Sequence, residues 1–165
     1  MQLIAIRGFR SDEMNAILDM RRAMTLELDA EDLDAQFPAW RTRFGAFLEA
    51  LVSQDAATFF VADLGDKLVG MGGVYKLRNH RSEIYGQPSA YITSIYVAPE
   101  YRRQGIATRI TQAAVQWARE HDCVVVRLRA SDSGRRVYEV VGFTPTDEME
   151  LRLDRTHHAG RPPLR

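Results

Sequence analysis

The spacing of apolar positions changes several times along the chain, and each change marks an element. "LIAIR" (residues 3–7) is a short apolar run that predicts a first strand. In "SDEMNAILDMRRAMTLEL" Met14, Ile17, Leu18, Met24 and Leu28 recur at helical spacing, with Ser11 placed to cap and Asp12 and Glu13 in the favourable first turn. A second helix is expected from Pro38, which suits a first helical position, and Trp40, Phe44, Phe47, Leu48 and Leu51 form one apolar stripe along it. That stripe reads as core packing rather than as a cofactor box. "TFFVADLGDKLVGMGGVYKL" predicts two strands joined by a hairpin turn at Leu64-Gly65-Asp66-Lys67. Gly70, Gly72 and Gly73 weaken the second of them and predict a bulge or a close backbone approach.

Residues 79–89, "NHRSEIYGQPS", are polar and turn-rich and predict a loop. "AYITSIYV" (90–97) is a β-rich strand that ends at Pro99, and Ile106, Ile110, Ala114, Trp117 and Ala118 mark the helix after it. "VVVRL" (124–128) is a β-branched run of the kind found in strands buried on both faces. "SGRRVYEVVGF" reads as a short helix stopped by Gly142, and "MELRL" as a last strand. The remaining "DRTHHAGRPPLR" (154–165) has no periodic apolar face and predicts a mobile tail. The strand–helix–strand unit over 90–128 should pair its strands in parallel, so the order of elements predicts an α/β fold.

A chain of 165 residues suits one domain, expected over 1–153. Lys+Arg and Asp+Glu both total 22, and a balanced charge argues against a dedicated nucleic-acid binder. No apolar run approaches the ~18 residues of a membrane span, and the start "MQLIAIRGFR" lacks a signal-peptide layout. The single cysteine, Cys123, excludes an internal disulfide framework and reads as packing; with a reducing compartment, it makes the cytoplasm the expected location. His157 and His158 have no accompanying metal-ligand spacing, so no metal is expected, and His121 falls where a helix C-terminus favours a cation.

The charge becomes informative at one seam. In "YVAPEYRRQGIAT" (96–108) a strand stops at a proline, meets Arg102 and Arg103, passes Gly105 and becomes helical. The first N–H groups of a helix have no internal partners and carry partial positive charge, which makes an anion site. Gly105 removes a side chain that would hold a diphosphate away from those amides, and Ala107 keeps the same face open. The same residues also suit a solvent-exposed turn with incidental arginines and a tight-packing glycine.

A second segment bears on that choice. Val97-x-Pro99-x-Tyr101-Arg102-Arg103-Gln104-Gly105-Ile106-Ala107 and the downstream Tyr138-Glu139-x-x-Gly142-Phe143 together resemble the GCN5-related N-acetyltransferase (GNAT) family. The first matches that family's acyl-CoA signature at Arg102, Gly105 and Ala107, and the second its Tyr-Glu-x-x-Gly-Phe segment. The likeness runs from about residue 58 to residue 153 and rests on both motifs in this order and spacing. It implies a GNAT-like mixed, splayed central β-sheet flanked by helices, opening between strands at 90–97 and 124–129. It also implies acetyl-CoA as cosubstrate. The pantetheine arm would pair near Ile95 and Val97, and the pyrophosphate would sit on the loop and helix start formed by Arg102, Arg103, Gln104, Gly105, Ile106, Ala107 and Thr108.

The activity implied is direct attack of a primary amine, small-molecule or peptidyl, on the acetyl thioester within a ternary complex. By the family pattern Tyr138 protonates the departing thiolate, a task that its reference pKa of about 10 allows. The backbone N–H of Ile95 is the family's oxyanion donor. Two departures stand out. Many relatives carry asparagine where this chain has Ser131, a shorter pantetheine contact, and some carry a carboxylate base where it has Tyr91. No carboxylate lies between residues 84 and 99, so Glu83, His80, the acidic segment or a water chain are left as candidate bases. That segment, "ELDAEDLDAQF" with Glu27, Asp29, Glu31, Asp32 and Asp34, is either solvated surface or a negative rim that attracts a cationic amine. The alternative function is a non-catalytic acyl-CoA sensor on the same scaffold. Either would be a monomer or a homodimer, without a nucleic-acid or membrane partner.

Overall fold

A computed structural model describes residues 3–151. The expected tail and the end of the expected last strand lie outside the described residues. The sheet has the order β1-β2-β3-β4-β5, formed by Ala5–Gly8, Ala57–Asp63, Leu68–Leu77, Ser89–Val97 and Val126–Leu128. The first four strands pair antiparallel and β5 joins β4 in parallel, so the sheet is mixed as expected.

Two layers of helix cover this sheet. On one face α5 (Ile106–Glu120) presents the stripe seen in the sequence: Ile106, Ile110, Ala114, Trp117 and Ala118 are all buried, against Val69, Val74, Ala90 and Ile92 of the strands. On the other face α1 (Met14–Asp29) and α3 (Trp40–Ser53) bury Ile17 and Leu48 against Phe59, Val61 and Met71. Each fully buried Ile or Leu side chain here stabilises by about 1.5–3 kcal/mol relative to exposure. The turn α2 (Leu33–Gln36) links α1 to α3.

Several boundaries differ from the sequence reading, each for a local reason. Ser11 does not cap α1: residues Ser11–Glu13 form a 3₁₀ turn, and the Glu13 carboxylate accepts the Arg10 N–H at 2.7 Å and the Arg7 guanidinium at 2.6 Å. Pro38 sits in the turn before α3 rather than inside it, and Phe47 is 52% exposed, outside the stripe that Trp40 and Leu48 bury. Leu28 is likewise exposed at the end of α1. The expected loop at 79–89 contains a helix, α4 (His80–Tyr85), because Asn79 caps the N–H groups of Arg81 and Ser82 and Gly86 ends it in the left-handed region. The run at 124–128 is not buried on both faces: Val124 and Val125 are exposed, since among the described residues β5 has a strand neighbour on one side only. Residues 149–151 of the expected last strand lie in no strand. The short helix is present as α6 (Arg135–Val141), closed by Gly142 at φ 108°. Among the described residues no helix is long and apolar enough to cross a membrane.

Candidate active site

The parallel pairing of β4 with β5 is short. It runs from Ala90·Val126 to Ile92·Leu128, whereas β4 continues to Val97. Beyond Ile92 the two strands part, and among the described residues no group of Thr93–Val97 pairs with β5. An unpaired opening along this edge of β4 results, with Ile95 and Val97 on it. Strand groups left without ladder partners are what an amide-bearing arm requires.

Inside that opening β4 is kinked. Met71 pairs with Tyr96 and Gly73 with Thr93, so Ser94 and Ile95 together face the single residue Gly72. This is a β-bulge, and Ser94 takes the left-handed conformation at φ 58° to make it. The glycines of β3 explain why it sits here. A Cβ on Gly72 would collide with Ile95 and Ile110, and one on Gly70 would lie 2.9 Å from the Tyr96 carbonyl. Both features foreseen for the glycine-rich strand are present, and the bulged residues belong to its partner. One consequence is that Ile92 and Ile95, three residues apart, both pack on the α5 face, while Tyr96 packs on the α1 face.

At the far end of β4 the chain turns through Pro99–Tyr101 and enters α5. Arg103 (φ 60°) and Gly105 (φ 74°) are both left-handed, and the first helical bond is Arg109 N–H to the Gly105 carbonyl at 3.0 Å. The N–H groups of Ile106, Ala107 and Thr108 therefore precede the helical ladder. The space where a Gly105 Cβ would stand is open, with nothing within 4 Å. Unpaired amides beneath a clear surface fit a diphosphate, and Arg103, Gln104 and Gly105 are exposed around it.

Arg102 has a different position from the one its charge suggests. Nε donates to the Val97 carbonyl at 2.9 Å, and Nη1 and Nη2 each lie 2.6 Å from an oxygen of Glu27. The bidentate contact holds Glu27 below the usual carboxylate range. Arg102 thus ties the loop to α1.

On the opposite side, Tyr138 of α6 packs edge-on to Phe143, with ring centroids 6.1 Å apart. Its hydroxyl has no hydrogen-bond partner among the described residues and is not sealed from solvent. Burial of the ring pushes its pKa above the ordinary tyrosine value, so the hydroxyl is a proton donor throughout the neutral range. Ser131 lies close by, but its Oγ accepts the Gly134 N–H at 3.2 Å and so supports the turn into α6. A Cβ on Gly134 would meet Ser131 Oγ at 3.1 Å and the Tyr138 hydroxyl at 3.5 Å, which places these two groups around one point.

The acidic segment is not a bare rim. Asp32 receives both Arg22 donors at 2.7 Å, and Asp34 is bound by Arg41 at 2.8 Å and by Trp40 Nε1 at 2.7 Å. With Glu27 on Arg102, three of its five carboxylates are fixed to arginines that bind the helices together. The candidate bases on α4 are exposed, and Glu83 pairs with Arg78 at 3.0 Å. His121 stacks on Trp117 and contacts Asp55 at 3.0 Å, a bond between α5 and the turn before β2. Burial raises the Cys123 thiol pKa, in line with packing. No group of three or more metal-ligating side chains forms among the described residues. Sequence reasoning missed the Arg102–Glu27 fork and the contact of Arg21 Nη1 with Ser94 Oγ at 3.0 Å, since neither partner predicts the other across more than seventy residues.

The model of the acetyltransferase (GNAT) family matches residues 17–143. Aminoglycoside N(6')-acetyltransferase type 1 of Serratia marcescens is 25% identical over 144 residues, or 84% of this chain and 90% of that protein. The enzyme of the same name from Acinetobacter genomosp. 13 is 34% identical over 65 residues, 38% of this chain and 44% of that protein, so the match spans less than half of that relative. Among solved structures, a GCN5-related N-acetyltransferase from Ralstonia eutropha JMP134 superposes with TM-score 0.78 at 22% identity, covering 92% of this chain and 99% of that one. A predicted acetyltransferase from Clostridium acetobutylicum, with acetyl-CoA, gives TM-score 0.78 at 21% identity over 94% of this chain and 100% of that one. At such identities the likeness establishes the fold.

Proposed function

This chain belongs to the acetyltransferase (GNAT) family, and from that premise we propose that it is an N-acetyltransferase that moves an acetyl group from acetyl-CoA to a primary amine. The observation that carries the reading is the parting of β4 from β5 after Ile92·Leu128, between the open amides at Gly105 and the free hydroxyl of Tyr138. An unpaired strand edge, an anion cradle and a proton donor are the three things this reaction needs.

Acetyl-CoA supplies the acetyl thioester, and the chain supplies binding and proton handling. The amides from Arg103 to Thr108 hold the pyrophosphate, helped by the partial positive charge of the α5 N-terminus. The β4 groups around Ile95 and Val97 pair with the pantetheine amides, and Ser131 offers its hydroxyl at the other wall. The N–H of Ile95, turned by the bulge at Ser94, donates to the oxygen on which charge develops. Tyr138 gives its proton to the sulfur as the C–S bond breaks, and the proton that the attacking nitrogen loses passes through water and restores the hydroxyl. With Asp32 and Asp34 held by arginines, these two carboxylates contribute to helix packing rather than to attraction of the amine.

The test is acetyl-CoA turnover with a panel of amines, an aminoglycoside among them, comparing the wild type with Tyr138→Phe. Turnover on at least one amine, lost in Tyr138→Phe with acetyl-CoA still bound, supports the assignment. Tight acetyl-CoA binding with no turnover on any amine would make the protein a sensor instead.

A further inference from the structure

We propose that Arg21 is the acceptor anchor: its guanidinium binds a carboxylate carried by a small amine substrate, next to the β4 bulge. The proposal rests on the acetyltransferase reading above for its reaction, but not for its binding site.

Arg21 reaches from α1 to β4, where Nη1 donates to Ser94 Oγ at 3.0 Å. Ser94 is 7% exposed, and burial is the main influence on the Arg21 guanidinium. A guanidinium carries five N–H donors. Among the described residues this one has a single hydrogen-bond partner, a neutral hydroxyl, and no ion pair within 4 Å. Its neighbours in the fold differ. Arg22 is clasped by Asp32, Arg41 by Asp34, and Arg102 by Glu27. Asp29 attracts Arg21 electrostatically.

Withdrawing a guanidinium from water without a close counter-charge is costly, and a planar carboxylate satisfies two of its donors at once. Thr93 and Ser94 present hydroxyls there, 3.4 Å apart, and β4 carries no carboxylate to repel an anion. Ser94 is also the residue before Ile95, about 3.8 Å along the chain from Cα to Cα. An acceptor whose amine is one to a few carbons from its carboxylate spans from Arg21 to that position. A polycationic amine finds a like charge there instead.

The experiment uses the full-length protein, acetyl-CoA and matched probes: glycine and β-alanine against their carboxamides, aminoethyl phosphate, and an aminoglycoside. The expected result is a KM at least tenfold lower for the carboxylate than for its carboxamide, and a ratio that collapses towards one in Arg21→Gln. Arg21→Lys, which keeps the charge but loses the fork, should retain part of the ratio and guards against misfolding of the first variant. Equal KM values in the wild type overturn the proposal, as does preference for the phosphate or the aminoglycoside. A loss of kcat in Arg21→Gln that leaves the ratio intact also overturns it and makes Arg21 a prop for the bulge. If no amine is acetylated, calorimetry of β-alanine with wild type and Arg21→Gln in the presence of CoA still decides: Arg21-dependent binding supports the anchor while the enzyme reading fails, and no binding overturns both.

Discussion

Arg102 and Glu27 form a two-pronged ion pair, 2.6 Å at each prong, that fastens the loop before α5 to the end of α1. The side chains are 38% and 41% exposed, so the pair contributes no more than about 1 kcal/mol to stability. Its larger effect is on the loop. Glu27→Gln should weaken acetyl-CoA binding several-fold, and Arg102→Gln should do no worse in the Glu27→Gln background than alone. Calorimetric titration of the two single variants and the double variant checks this. Tighter binding in Glu27→Gln would mean that the released guanidinium reaches phosphate and that the loop needs no tie.

Gly105 stands at φ 74° with open space over the position of a Cβ. Gly105→Glu should cost only about 1 kcal/mol in stability, the penalty of a left-handed non-glycine residue, while placing a carboxylate where a diphosphate would lie. Loss of acetyl-CoA affinity with a cooperative melt and unchanged circular dichroism is the expected outcome. Retained affinity would put the cradle elsewhere.

Tyr138→Phe removes one hydroxyl and keeps the ring that packs on Phe143. A fall in kcat of about a hundredfold or more is expected, with acetyl-CoA affinity little changed. Because burial raises the Tyr138 pKa, its deprotonation should not limit wild-type rates below about pH 10. A decline in kcat near neutral pH that disappears in Tyr138→Phe would contradict this environment.

Gly72→Ala tests the bulge. The added methyl meets the half-buried Ile95 and the fully buried Ile110, so a loss of about 1–3 kcal/mol is expected from overpacking. Activity should fall further than stability explains, through displacement of the Ile95 N–H. Denaturant unfolding alongside kcat at saturating substrates separates the two.

Glu13 provides a pH handle remote from the cleft. Hydrogen bonding to Arg7 and Arg10 lowers its pKa to about 2, below the ordinary value of about 4.3 for an unfolded chain. A carboxylate with a depressed folded pKa stabilises above the unfolded value, and that contribution disappears as pH falls through the folded one. Wild-type stability should therefore drop between about pH 4.3 and 2, and Glu13→Gln, less stable at neutral pH by about 2 kcal/mol, should show a shallower drop. Chemical denaturation at a series of pH values measures both slopes.

Much of this could be read from the chain because the relevant forces are local. The α5 stripe, the hairpin at Leu64–Lys67, the stop at Gly142 and the parallel unit over 90–128 all follow from periodicity and turn chemistry within a few residues. The loop at Gly105 was legible for the same reason, since a helix start and a left-handed glycine are properties of one short segment. The helix at 80–85 was legible in principle through Asn79 and Gly86, but its polar composition hid it.

What the chain could not reveal was how its charges would be partnered. Arginines 21, 22, 41 and 102 look alike in sequence, yet three are chelated by carboxylates and Arg21 reaches a lone hydroxyl. The segment 27–34 looks like an acidic rim, and folding turns Glu27, Asp32 and Asp34 into fastenings between helices. Side-chain pairing over tens of residues depends on which faces the sheet and helices bring together, and no local pattern encodes it. The sequence alone thus determined most of the elements, the parallel unit over 90–128 and the left-handed turn at Gly105 that opens α5. Tertiary structure decided that β4 parts from β5 after Ile92, that Ser94 bulges opposite Gly72, and that one half-buried cation beside the bulge is left short of a counter-charge.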